Sequence, residues 1–181
     1  MPRSTISPSL AATARRHNSP LPVGIDGRWV WGSILVAFMI SLLSWRVWPS
    51  SPDILLLVLA FWCVHDAKRV GLVVAFCLGL LIDVQDMAPL GQHALLYVLV
   101  CFGGILIGRR MLMFDLLSQA FHMLPIFLIG FLVTFLVVSL LKGFWPGWGW
   151  AGSALFTAML WVPFGWLLLM PVNRLASESL G

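Results

Sequence analysis

Between Trp29 and Met170 the chain passes through six apolar stretches parted only by short polar breaks, and this pattern excludes most architectures at once. A bilayer core takes about 20 apolar residues per helical crossing. Only helices or closed barrels can carry a backbone through it, because every N–H and C=O must be satisfied internally. Uninterrupted apolar runs speak for helices. The charged share of 10%, against 60% hydrophobic, leaves no room for a soluble domain of useful size. The sequence therefore predicts an all-α integral membrane protein with six transmembrane helices over residues 29–172. Residues 1–28 form a disordered cytoplasmic tail, rich in Ser, Thr, Ala, Pro and Arg and without the apolar core of a signal peptide. Residues 173–181 form a short cytoplasmic tail.

The breaks place the spans. The first runs from Trp29 to Trp48, bracketed by Trp29, Trp31, Trp45 and Trp48 as interfacial anchors, and stops at Pro49-Ser50-Ser51-Pro52. Asp53 stands where an N-cap belongs. The second span, to about Ala67, is short for a crossing and calls for a thinned bilayer or for shielding by its neighbours. His65, Asp66, Lys68 and Arg69 make a tight connector. The third covers Val70 to about Val84, the fourth about Gly91 to Gly108, and the fifth about Phe121 to Leu141 with Pro125 near its start. Met111 to His122 reads either as an amphipathic piece lying on the inner surface or as the beginning of the fifth helix. The sixth, Ala151 to Met170, is interrupted by Pro163 and Gly165, so a kink is expected near its middle or inner half, and it is expected to end at Pro171.

Basic residues set the orientation. Nine of the eleven fall on the side of the N-terminal tail and two, Arg46 and Lys142, on the other. By the positive-inside rule both termini are cytoplasmic, in a multi-pass protein of a bacterial inner membrane, and the turn after Asp83 faces outward. The same dispersal in ones and twos argues against nucleic acid as a partner, despite the formal charge of +4. Cys63, Cys77 and Cys101 all fall inside apolar runs, in no metal-binding or disulfide spacing.

Chemistry concentrates in Gly79 to Leu95, where two carboxylates, a proline, a histidine and a glycine interrupt the oil. Gly71, Ala75, Gly79 and Asp83 recur every four residues, which puts them on one slowly drifting helix face. Small residues at that spacing let two backbones approach closely. Asp83 then ends a packing seam. Gly104 and Gly108 repeat the spacing as a second seam. Gly91 and His93 open the fourth span, and Trp148 lies in an aromatic loop, KGFWPGWGW, that suits a membrane interface or a partner. These nine residues are candidate packing or partner contacts. No catalytic, cofactor-binding or metal site is expected: phosphate-loop and zinc-protease motifs are missing, and the four histidines are scattered. Asp83 and His93 leave open a small-solute binding or transport subunit with an outward-facing cavity.

Gly79-Leu80-Leu81-Ile82-Asp83, followed by Leu90-Gly91 and Ala94-Leu95, resembles the signature of the rod shape-determining MreD family of Gram-negative bacteria. Pro52-Asp53-Ile54-Leu55-Leu56, Arg69-Val70-Gly71-Leu72, Gly91-Gln92-His93-Ala94-Leu95 and Pro146-Gly147-Trp148-Gly149 extend the likeness over about residues 30–172. The resemblance implies a non-enzymatic scaffold of the cell-elongation machinery, without cofactors. It would work beside MreC, the actin-like MreB and the peptidoglycan synthases, in a fold similar to the substrate-binding subunits of energy-coupling-factor transporters.

Overall fold

The computed structural model describes residues 27–43, 51–143 and 147–178, and among them every regular element is a helix. There are seven: α1 Gly27–Leu42, α2 Ile54–His65, α3 Leu72–Gln85, α4 Gln92–Met111, α5 Leu116–Lys142, α6 Gly149–Met159 and α7 Trp161–Glu178. Successive helices run up and down, α6 and α7 together making one broken course, so the connections gather at two ends. One end, here the acidic end, carries Asp53, Asp83, Asp86 and Lys142. The other, the basic end, carries Arg28, Lys68, Arg69, Arg109 and Arg110 beside Asp66 and Asp115. Arg69 pairs with Asp66 at 3.3 Å in the connector between α2 and α3. The sequence read up to residue 26 as tail, and the far end of the first span with Trp45, Arg46 and Trp48, lie outside the described residues, as do Trp145 and Pro146 in the aromatic loop.

Helix α2 is the axis of the bundle. All eleven residues from Leu55 to His65 are buried, against α1, α4, α6 and α7. A helix that is apolar all round must be covered all round, and at 12 residues it rises only about 18 Å. Shielding by neighbours thus accounts for its shortness. Two indoles fasten α1 to the bundle: Trp62 Nε1 of the axis donates to Ser33 Oγ at 2.8 Å, and Trp29 Nε1 donates to the Leu168 carbonyl of α7 at 3.2 Å.

Around the axis, α4 packs against α2, α3 and α5, and α5 closes against α6 and α7. Among the described residues two segments, Leu116–Lys142 and Gly149–Met170, are long and apolar enough to cross a membrane; α1, α2, α3 and Gln92–Gly108 are shorter apolar helices. The 27-residue α5 is the opposite of α2, with only 22% of its most apolar window buried.

Three boundaries differ from the sequence reading. Met111 to His122 is not a separate surface segment: α4 ends at Met111, a turn follows, and α5 starts at Leu116 behind Asp115 as N-cap. The sixth span breaks at Leu160, three residues before Pro163. That proline sits in the first turn of α7, where its missing N–H has no helical acceptor to lose. Pro171 does not end the helix, which continues to Glu178.

Candidate functional site

The acidic end is organised by two buried carboxylates. Helix α3 brings Asp83 there on the face that carries Gly79. A Cβ on Gly79 would stand 2.6 Å from the Ala94 nitrogen and 2.9 Å from the His93 carbonyl carbon. Only glycine lets the start of α4 lie against α3 so closely, which is the backbone approach that the four-residue spacing anticipates. Ala75, one turn earlier, is fully buried. Gly71 does not belong to this seam: it is the N-cap of α3, and its Cβ would meet nothing closer than the Ala67 carbonyl at 3.9 Å.

Because α4 starts so close to α3, Asp83 can cap it. The first N–H groups of a helix have no internal partner, and the residue at the N-cap of α4 is Gly91, whose φ of 97° suits glycine and which has no side chain to offer. Asp83 supplies what Gly91 lacks. Its Oδ2 accepts from Gly91 N at 2.9 Å and more weakly from Ala94 N at 3.4 Å, and its Oδ1 accepts from His93 N at 2.7 Å. Oδ1 also meets His93 Nδ1 at 2.9 Å. An ionised carboxylate only accepts, so Nδ1 is the protonated nitrogen and donates. A fully buried acid without such partners would be costly; here four donors surround it. The expected seam-end residue proves to be a cap reaching across from the preceding helix.

The second carboxylate is Asp53, buried and at the head of α2. It accepts from Leu56 N at 3.0 Å, the ordinary N-cap bond. The Tyr97 hydroxyl donates to it, 3.1 and 3.0 Å from its two oxygens. Its own N–H donates to Thr157 Oγ1 of α6 at 3.2 Å. Tyr97 stands four residues after His93, so one face of α4 holds both acids through consecutive turns. The two rings lie edge to face at 6.2 Å. Sequence reasoning missed Tyr97 and Thr157. The signal for Tyr97 was available: it is the single tyrosine of the chain and lies one turn from a candidate histidine.

The remaining candidates separate by position. Gly104 and Gly108 face α2, where their Cβ atoms would meet Val64 Cγ2 at 3.2 Å and the Val64 carbonyl at 3.1 Å. They form a seam near the basic end, remote from Asp83. Trp148 is 73% exposed at the acidic end and stacks on Trp150 at 6.2 Å.

Between α4, α5, α6 and the head of α2 the acidic end opens into a cavity of about 370 Å³, with Asp53 and His93 in its wall. Met87 and Leu90, in the turn between α3 and α4, are 95% and 75% exposed. That turn is held by the Ala88 N–H on the Asp83 carbonyl at 3.0 Å and by the Gly91 bond already described. Among the described residues no group of three or more His, Cys, Asp or Glu is arranged to hold a metal ion.

No solved structure matches the chain. The family model described as rod shape-determining protein MreD matches residues 24–171, from just before α1 into α7 and including both carboxylate networks. The chain belongs to the MreD family, whose members are membrane proteins of rod-shape determination.

Proposed function

We propose that the protein is a non-enzymatic scaffold of the cell-elongation machinery, linking MreC and MreB to lateral peptidoglycan synthesis. It spans a bacterial inner membrane six times with both termini cytoplasmic, residues 1–28 and 173–181 being its tails. Family membership supports the process. The segregation of basic residues to one end supports the orientation.

One observation carries the scaffold reading: the turn between α3 and α4 is pinned from below by a buried carboxylate and presents Met87 and Leu90 outward. A docking surface gains affinity when it is rigid before binding, since less ordering entropy is lost. Exposed apolar residues on such a turn suit a protein partner in the periplasm. A transport role is less well supported, because Asp53 and Asp83 are both engaged in capping helices and neither is left to carry an ion or proton across the bilayer.

The test is co-purification with MreC from membranes in mild detergent. Met87→Glu combined with Leu90→Glu should abolish it while leaving expression and thermal stability unchanged, since both side chains stand in the open. Undiminished co-purification of that variant would remove the turn from the interface. Failure of the parent protein to associate would remove the scaffold reading itself.

A further inference from the structure

At the basic end two separate elements assemble one cluster of charge. Arg69, in the connector between α2 and α3, reaches across to the start of α1, where a Cβ on Gly27 would stand 3.4 Å from its Nη1. The next residue of α1 is Arg28, and the connector adds Lys68, so three cations come to the head of α1. The carboxylate beside them is Asp66, which holds Arg69 Nε at 3.3 Å. Counting also Asp26, which precedes α1 in the sequence, cations outnumber acids three to two. Arg28 and Lys68 are exposed, and neither has an ion-pair or hydrogen-bond partner among the described residues. The cluster is short of an anion.

Its depth says what brings that anion. Arg28 opens a stripe, continued by Trp31, Leu35, Met39 and Leu42, whose members are three or four residues apart and all exposed. The opposite face, with Val30, Ile34 and Ala37, is buried on the bundle. From Arg28 to Met39 the helix rises about 16 Å, which matches one leaflet's share of a hydrocarbon core roughly 30 Å thick. Trp29 and Trp31, both exposed, are indoles of the kind that sit at headgroup level. Arg28 thus stands at phosphate depth, at the head of a track for an acyl chain.

The chemistry of the head follows from the charges. A zwitterionic choline or ethanolamine head brings a cation of its own against three. An acidic protein segment would reach the cluster from the aqueous side and leave the apolar stripe unused. A phosphodiester with an uncharged head uses both, and guanidinium groups suit phosphate oxygens because their N–H donors form a planar fork.

We propose that an anionic phospholipid with an uncharged head, of the phosphatidylglycerol class, binds at the start of α1. Its phosphate lies between Arg28 and the Lys68–Arg69 pair, and one acyl chain follows Trp31, Leu35 and Met39. The site rests on the basic end lying among lipid headgroups, as the proposed six-span arrangement has it, and is independent of the Met87–Leu90 turn and its partner.

The experiment uses the full chain in phosphatidylcholine nanodiscs with increasing phosphatidylglycerol, read by thermal unfolding and by native mass spectrometry of retained lipid. Both leaflets of a disc have one composition, so an error in the orientation cannot silence the assay; labelling of introduced cysteines from either side tests the orientation separately. Saturable stabilisation with retained phosphatidylglycerol is expected, and phosphatidylethanolamine should add nothing. Arg28→Gln should weaken binding about fivefold, and Arg28→Gln with Lys68→Gln about twentyfold, one basic residue's share each. In pure phosphatidylcholine the double variant should melt with the parent, since both side chains are exposed. Lys142→Gln removes one positive charge at the other end and should leave the affinity unchanged. A general attraction of a basic protein for an anionic bilayer would respond to Lys142 and Arg28 alike. That equality would overturn the site, as would stabilisation without saturation or lipid retention unchanged in the double variant. Equal stabilisation in phosphatidylcholine discs by inorganic phosphate or by polyglutamate would overturn it too, assigning the cluster to a soluble anion or an acidic protein.

Discussion

Helices α3 and α4 and helices α5 and α6 are made from similarly apolar sequence and meet at the same end of the bundle, yet one pair closes to backbone contact and the other borders a cavity. The difference lies in a few side chains. At the closed side Gly79 has no Cβ, Ala94 opposes it, and Asp83 satisfies the amides that the close approach would otherwise strand. At the open side Phe131, Phe135 and Trp150 line the cavity, and Thr134 Oγ1 and Trp150 Nε1 have no hydrogen-bond partner. Close packing in a membrane bundle thus needs small residues and complete polar pairing together. His93 belongs to both sides, donating to Asp83 and lining the cavity.

The most forceful way to break the contrast is to give the closed side a side chain. Gly79→Leu drives its Cβ into the Ala94 backbone, which cannot rotate away as a side chain could. The cost should exceed the approximately 3 kcal/mol at the upper end of ordinary overpacking. Expression in detergent-soluble, monodisperse form should fail. A variant that purifies and melts like the parent would show that α3 and α4 do not touch here.

Removing the capping acid comes next. Asp83→Ala leaves the His93 ring N–H and three backbone N–H groups without their acceptor, two of them strongly bonded in the parent. A loss of about 3 kcal/mol is expected, with faster hydrogen exchange over residues 91–94. Asp83→Asn retains one acceptor and should lose less. Equal losses in the two variants would mean that the side chain acts by filling space. Tyr97→Phe probes the neighbouring network more gently. It takes one hydroxyl from Asp53, which keeps the Leu56 N–H, so about 2 kcal/mol is expected in thermal unfolding. No change would show that Asp53 is satisfied without Tyr97.

How much of this could be read from the sequence depends on the range of each interaction. Ala75, Gly79 and Asp83 share a face by helix geometry alone, so the seam was visible; Gly71 carried the spacing one turn too far, because the helix begins after it. The cap on α4 was not visible, since Asp83 and its donors are eight to eleven residues apart and meet only once the hairpin is closed. Asp53 as an N-cap is local and was read correctly, while its bonds to Tyr97 and Thr157 span 44 and 104 positions. The cavity joins residues from four distant segments and left no mark on the periodicity. The up-and-down course followed from the apolar runs, and an interruption near the middle of the sixth span followed from Pro163 and Gly165, but its place at Leu160 did not, because Pro163 marks a helix start as readily as a kink.

The smallest expected effect separates contact from torsion within the closed side itself. Gly79 and Gly91 are both glycines at the α3–α4 junction, but nothing lies within 4 Å of a Cβ on Gly91, and its φ is 97°. Gly91→Ala therefore meets no atom and costs only the left-handed backbone conformation, about 1 to 2 kcal/mol. Its N–H still donates to Asp83, so the cap survives. The variant should purify normally, melt slightly lower, and keep the hydrogen-exchange protection of residues 92–94 that Asp83→Ala loses. If instead Gly91→Ala disrupts assembly as severely as Gly79→Leu, then the turn and not the seam determines how closely the two helices pack, and the contrast between the closed and open sides would have to be redrawn around that single torsion.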